Sequence, residues 1–313
     1  MRFTVLASGS AGNASLLQVD GFGLLLDIGL APRLLAHRLR SVGAAWDDVD
    51  AALLTHTHAD HWKNATLAHL RRLRIPLYCH AEHHNVLSFY GVAFGILRAE
   101  GLVRGYEVAK ELYLGPGLRC IPLPLQHDSG VTFGFRFEIC SLLLGRSSSL
   151  GYAADLGSWD DGLAEALAGV EVLALEFNHD VRLERNSGRS PGLIQRVLGD
   201  HGHLSNEQAG ELLKEVLRRS PEASLRHLVQ LHLSRECNRP DLAAAAAHKI
   251  LADTRHSLQL HTTCQSMARP TVHLGACAND RSTLWLNGSR ISRKAPAVRN
   301  HPLPLFAALG LEL

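Results

Sequence analysis

The chain has almost no net charge, no closely paired cysteines and no long apolar run, and each shortage argues against a class of protein. Its 32 lysines and arginines against 30 aspartates and glutamates leave a formal charge of +2. No strong basic field therefore compels a nucleic-acid partner, although a local basic groove is compatible with this balance. The six cysteines, Cys79, Cys120, Cys140, Cys237, Cys264 and Cys277, are widely spaced. The lack of any CxxC pair argues against a structural zinc ribbon or a redox dithiol, and a disulfide framework is not expected in a chain with this much core. The opening residues are too poor in apolar side chains for a signal-peptide core, and no later run approaches ~18 apolar residues. The expectation is a reduced, soluble, cytoplasmic protein.

What the chain does have is core material and histidine. Its 313 residues are 46% hydrophobic and 20% charged, which suits a single large α/β domain rather than a disordered or membrane-embedded chain. Nineteen histidines make up about 6% of the residues, roughly two to three times an ordinary soluble share. Such an excess points to metal ligands or proton carriers.

Three short strands with Gly-rich turns open the chain: Phe3 to Ala7, Ser15 to Val19, and Leu24 to Asp27 after the Asp20-Gly21 turn. Pro32 starts a helical period that ends toward Gly43. Ala51 to Thr55 reads as a short buried strand, and a helix is expected from Asn64 to Leu73 before strand character resumes at Ile75 to Cys79. In the second half, Cys120 to Leu125 and Val131 to Cys140 read as strands. The latter alternates Phe133, Phe135, Phe137 and Ile139 on one face. Tyr152 to Asp155, Val170 to Phe177 and Leu228 to Leu231 complete the strand set. Asp160 or Asp161 caps a short helix, Ser205 with Gln208 forms a capping box for the helix Asn206 to Arg219, and Pro240 precedes an alanine-rich helix ending at Ala252. Strands alternating with helices in both halves predict a four-layer αββα sandwich. The expected organisation is one domain over 1–264, with 265–313 as a strand-containing extension and basic tail. Val272 to Leu274 and Thr283 to Leu286 are its strand-like stretches; Arg290, Arg293, Lys294 and Arg299 make its tail basic.

The decisive segment is Thr55-His56-Thr57-His58-Ala59-Asp60-His61, directly after a buried strand. Amphipathic packing does not explain three histidines and a carboxylate within six residues. On an extended segment His56 and His58 project to the same side, a pincer for one ion. Asp60 and His61 sit where the chain turns toward a helix and are able to face a second. Strand C-terminal ends are where α/β proteins place their sites, and three further candidates stand at such ends: His127, Asp155 and His232. Alone, a residue so placed is more often a packing or surface residue; their joint order sets them apart.

HxHxDH followed by distant His, Asp and His resembles the metallo-β-lactamase superfamily of dinuclear metallohydrolases. The resemblance runs from the opening strands to the helix after Pro240. Finer motifs resemble the bacterial YycJ/WalJ-type exonuclease branch, a relative of tRNA-processing ribonuclease Z. They are Ser8-Gly9-Ser10-Ala11-Gly12-Asn13, Leu26-Asp27-Ile28-Gly29, His127-Asp128 with Gly134-Phe135, Glu176-Phe177-Asn178-His179-Asp180, Gly202-His203-Leu204-Ser205-Asn206-Glu207 and His232-Leu233-Ser234. The resemblance implies His56, His58 and His127 on one metal, Asp60, His61 and His232 on a second, and Asp155 as the bridge. A shell of nitrogen and oxygen without thiolate suits zinc, manganese or iron. Two such ions would turn a bridging water into a hydroxide nucleophile and stabilise charge on a phosphoryl oxygen, with Asp60 orienting the hydroxide as well as ligating.

In the ribonuclease Z relatives a late-strand glutamate works with a histidine opening a later helix; Glu176 and His203 match those positions. His203 would protonate the leaving group, near a helix N-terminus that favours phosphate. His179 and Asp180 are left between holding ligand imidazoles and touching substrate. The branch tends to carry an asparagine pair after His232-Leu233-Ser234, of which only Asn238 is present. Arg182, Arg185, Arg189 and Arg196 are candidates for a nucleic-acid backbone or for a solvated face. The expected function is a dinuclear metal-dependent phosphodiesterase, a DNA exonuclease ahead of an RNA-directed one, with no membrane partner. The alternatives are a thioester or lactone hydrolase of the same fold, which needs no Glu176/His203 pair, and a metal-binding regulatory protein without activity.

Overall fold

The computed structural model describes residues 1–141, 146–254 and 256–275. The strand expected at 283–286, the basic residues Arg290, Arg293, Lys294 and Arg299, and Cys277 lie outside the described residues. The first half runs β1 (Arg2–Ala7), β2 (Ala14–Val19), β3 (Phe22–Leu26), α1 (Pro32–Ser41), β4 (Ala51–Leu53), α2 (Asn64–Leu73), β5 (Leu77–His80), α3 (His83–Tyr90), α4 (Val92–Ala99) and β6 (Val103–Tyr106). The second runs β7 (Leu112–Gly115), β8 (Leu118–Leu125), β9 (Thr132–Ser141), β10 (Arg146–Ala153), α5 (Asp161–Leu167), β11 (Val172–Glu176), α6 (Val181–Arg185), α7 (Pro191–Leu198), α8 (Asn206–Arg219), β12 (His227–Leu231), α9 (Pro240–Ala252) and β13 (Gln259–Thr262). The last described strand, β14 (Thr271–His273), pairs antiparallel with β1.

Two mixed sheets result. Their strand orders are β14-β1-β2-β3-β4-β5-β6 and β13-β12-β11-β10-β9-β8-β7. In each, one stretch is antiparallel and the other parallel: β3 through β6 in the first sheet, β10 through β13 in the second. Period-two alternation builds the layers. Phe3, Val5, Leu24 and Leu26 face Phe133, Phe135, Phe137, Val172 and Val229 in one core between the sheets. The intervening Leu16 and Leu25 pack on Leu35, Leu39 and Leu70 of α1 and α2. On the far side Leu173, Leu175 and Leu228 pack on Leu212, Leu213 and Val216 of α8. This is the expected αββα sandwich. Among the described residues no helix is long and apolar enough to cross a membrane.

The caps were readable. Asp160 accepts from Leu163 N at the start of α5, and Ser205 and Gln208 form the reciprocal capping box of α8. The helices α3, α4, α6 and α7 and the strands β6, β7 and β13 are additions to the sequence expectation. What the topology does for function is simple. Residues 27, 55–61, 127, 155, 176 and 232 all lie at or just past C-terminal strand ends, those of β3, β4, β8, β10, β11 and β12.

Candidate metal centre

Three of the site residues leave their strands through the left-handed region: Asp27 at φ 60°, Asp155 at φ 62° and His232 at φ 54°. Aspartate and histidine visit that region more readily than bulky or β-branched residues, and non-glycine strain of this kind gathers at functional sites. The turn after β4 carries His56, His58, Asp60 and His61 together.

The structure brings together the residues of the two triads that the family resemblance implies. Side-chain donor atoms of His56, His58 and His127 lie within 4.8 Å of one another, as do those of Asp60, His61 and His232. Asp155 joins both His56 with His61 and Glu176 with His203 and His232 in further groups of the same compactness. Asp155 therefore stands between the triads. Its Oδ2 is 3.1 Å from His61 Nε2 and its Oδ1 3.3 Å from His232 Nδ1.

The surroundings decide which ring nitrogen is free. His127 Nδ1 faces the Gly202 carbonyl at 2.8 Å and donates to it, so Nε2 is its open donor atom, 3.2 Å from Nδ1 of His58. His58 turns its other nitrogen to Asp128, with Nε2 at 3.4 Å. His61 Nδ1 donates to buried Asp27 at 2.7 Å, and Asp27 is held in turn by Thr55 N at 2.9 Å and by the Thr55 hydroxyl. His232 Nδ1 is 3.2 Å from Glu176 Oε1, which leaves Nε2 open. In each case a carbonyl or carboxylate fixes the ring and frees one lone pair.

Charge shows that the pocket suits a cation. Burial lowers His56 well below its ordinary pKa, with His61 adding to the effect, and burial likewise lowers His58 and His127. These three are neutral lone-pair donors. Burial also opposes charge on His61 and His232, but the carboxylates prevail: Asp27 and Asp155 push His61 well above its usual value, and Asp155 with Asp60 and Glu176 push His232 up to about 10. The hydrogen bonds ask for the opposite at His61. Asn13 Oδ1 accepts from Gly9 N, so its amide nitrogen faces His61 Nε2 at 2.9 Å and Asp60 Oδ2 at 3.2 Å. A doubly protonated His61 would set two donors against each other. A bound cation reconciles the two, because it answers the carboxylates and leaves the imidazole neutral. Consistent with this, His56 Nε2, Asp155 Oδ2 and His232 Nε2 are buried without a hydrogen-bond partner among the described residues. The residues fit divalent metal.

Beside this cluster lies a cavity of about 360 Å³ bordered by Asp128, Arg189, Arg196, His203, His232 and Glu236. His203 Nδ1 is 2.8 Å from Glu176 Oε1, so Nε2 is the nitrogen left for the cavity. Glu176 is completely buried; burial raises its pKa, but His203 and His232 outweigh this and bring it to about 2. Its Oε2 accepts from Leu156 N at 3.0 Å. The same charge raises His203 against the opposing effect of burial.

Other candidates fall differently. Asp180 caps α6 through Leu183 N, and His179 is buried with both ring nitrogens unpartnered; among the described residues neither side chain hydrogen-bonds to an imidazole of the two triads. Of the four arginines, Arg189 is tied to Glu184 and Glu236, and Arg196 to Asp128, whereas Arg182 and Arg185 are exposed. Asn238 clasps the site loops together, donating to the carbonyls of Phe177 and Asn178 and pairing with the Asn206 amide. Sequence reasoning gave no role to Asn13, Asp27, Thr55 or Asn178.

Comparison with known proteins adds the family. Residues 23–227 match the β-lactamase superfamily domain. Exodeoxyribonuclease YycJ of Bacillus anthracis is 25% identical over 279 residues, covering 85% of this chain and 97% of its own. Exodeoxyribonuclease WalJ of Streptococcus pneumoniae is 27% identical over 243 residues, 77% of this chain and 85% of its own. The crystal structure of Zn(2+)-bound PqqB from Methylobacterium extorquens shares the fold at a TM-score of 0.61 and 16% identity, covering 88% of this chain and 100% of that one.

Proposed function

This chain belongs to the β-lactamase superfamily of metal-dependent hydrolases, and on that premise we propose that it is a dinuclear phosphodiesterase acting on nucleic acid as a DNA exonuclease. The observation that carries the reading is the His203–Glu176 pair, 2.8 Å apart, at the edge of an arginine-lined cavity beside two clusters of metal donors. The two relatives named as exodeoxyribonucleases support DNA as the substrate. A thioester releases a thiolate that needs no proton, so a buried carboxylate holding a cavity-facing imidazole is wasted on it. A phosphodiester releases an alkoxide, for which a general acid is worth about 10²- to 10⁴-fold.

His56, His58 and His127 would hold one ion, Asp60, His61 and His232 the other, and Asp155 would bridge them. Zinc or manganese suits this donor set, with iron the remaining candidate. Divalent ions held there supply nucleophilic water at neutral pH and neutralise charge on a phosphoryl group. The chain's own groups do the rest. Asp60, partly exposed between His61 and His232, orients the incoming water. Arg196, now on Asp128, offers a guanidinium for a phosphate oxygen. His203 holds the proton for the leaving oxygen at Nε2, while Glu176 fixes the ring through Nδ1 and balances its charge.

One purified sample assayed against labelled DNA, labelled RNA, bis-nitrophenyl phosphate and a thioester tests this. DNA shortened from its ends is the expected result; turnover of the thioester alone overturns it. A second test concerns His61. Asp27→Asn keeps the shape but removes the charge that orients the ring. It is expected to weaken metal binding about 10- to 100-fold, read by titrating metal-free protein with zinc.

A further inference from the structure

A second cavity, of about 480 Å³, lies across Ser234 from the one bordered by His203. Ser234 lines both, and the adjoining residues Ser10 and Ala11 line one each. Its electrostatics differ from those of the first. There, Asp128 and Glu236 each neutralise an arginine. Among the described residues the second cavity is lined by Arg38 and Arg235 and by no carboxylate. Arg38 donates through its two terminal nitrogens to the main-chain carbonyls of Gln265 and Ser266, which leave its charge unanswered, and its Nε is buried without a partner among the described residues. Arg235 is exposed and makes no ion pair or hydrogen bond among the described residues.

We propose that this second cavity is a backbone-binding subsite, holding the phosphates of a nucleic-acid strand one or more nucleotides beyond the bond being cut at His203. The assignment rests on the phosphodiesterase reading above and extends it to how the strand is tracked. Uncompensated guanidinium groups are the chemistry that phosphate calls for. Leu30, Leu34 and Leu233 give the cavity an apolar wall against which sugars and base faces lie. The site does not read sequence. The amide of Gln265 is occupied by Ala11 N and the Gly12 carbonyl, and that of Asn238 by Phe177, Asn178 and Asn206. Among the described residues no aromatic ring lines the cavity and no side-chain amide there is free for a base edge. The subsite therefore grips the backbone whatever the sequence.

The test is a length series of single-stranded oligonucleotides from two to twenty nucleotides, with bis-nitrophenyl phosphate as the diester too small to reach Ser234's far side. The variants are Arg235→Glu, exposed and therefore neutral to folding, and the milder Arg38→Gln. For the wild type, kcat/KM is expected to climb with length. Each variant should lose about tenfold in kcat/KM on the twenty-mer, mostly in KM, and keep wild-type turnover of the small diester. Its salt slope should be shallower by about 0.7 for each phosphate no longer gripped. Variants that match wild type on the twenty-mer, or that lose equally on both substrates, overturn the subsite while leaving the nuclease reading intact. Wild-type protein that cleaves the small diester and no oligonucleotide overturns the nuclease reading itself.

Discussion

Asp155→Ala is expected to yield a folded chain that has lost both its bound metal and its hydrolytic activity. Asp155 is buried between the two donor triads, and its carboxylate reaches His61, His232 and His203 within 3.6 Å. Burial works against its charge, yet His232 and His61 hold it ionised well below the usual aspartate range, so it is an anion aimed where cations belong. Removing it takes away a carboxylate that stands beside members of both triads. The chemistry lost is the metal's contribution of several kcal/mol, at ~1.4 kcal/mol per tenfold, or at least about a thousandfold in rate. Alanine is also strained at φ 62°, so Asp155→Asn belongs beside it: asparagine tolerates that backbone and removes only the charge. Metal content by elemental analysis, rate on DNA and far-UV circular dichroism are the readouts. Two ions and full activity in Asp155→Asn would show that this carboxylate is no bridge.

The HxHxDH turn was readable because no packing rule accounts for three histidines and an aspartate in six residues. His127, Asp155 and His232 were readable by place, each ending an apolar run. Asp27 obeys that same grammar, as Leu24-Leu25-Leu26-Asp27, and a search for carboxylates closing apolar strands would have found it. It escaped because its partner His61 is 34 residues away and only the parallel pairing of β3 with β4 brings them together. Asn13 and Asn178 are harder still. An amide carries no charge and no spacing rule, and its meaning here, facing His61 Nε2 or His232, exists only in three dimensions. The helices α3 and α4 were missed for a different reason. They are eight residues each, separated at Gly91, and carry exposed Phe89, Tyr90 and Val92, so the apolar period that marks a helix is blurred. The caps of α5 and α8 were legible because Asp160, Ser205 and Gln208 act on neighbours three residues away.

His203→Ala should slow cleavage of DNA about 10²- to 10⁴-fold while both metals stay bound. The ring is joined to Glu176 through Nδ1 and borders the cavity, so the substitution removes a proton donor without touching His56, His58, Asp60, His61 or His127 through any hydrogen bond. The effect should shrink on a nitrophenyl phosphodiester, whose leaving group scarcely needs an acid. Glu176→Gln should show the same selectivity more weakly, since the imidazole remains but loses its charge partner. Glu176 also holds Nδ1 of His232 at 3.2 Å, so that variant alone should bind metal less tightly. The outcomes separate the possible roles of His203. Loss of a metal in His203→Ala would make the residue a ligand and put His232 in question. Equal slowing on both substrates would make it a phosphate-binding group, with the proton supplied from elsewhere. An unchanged rate on DNA would leave His203 a packed turn residue at the entrance to α8, and the case for a phosphodiester over a thioester would lose the observation on which it stands.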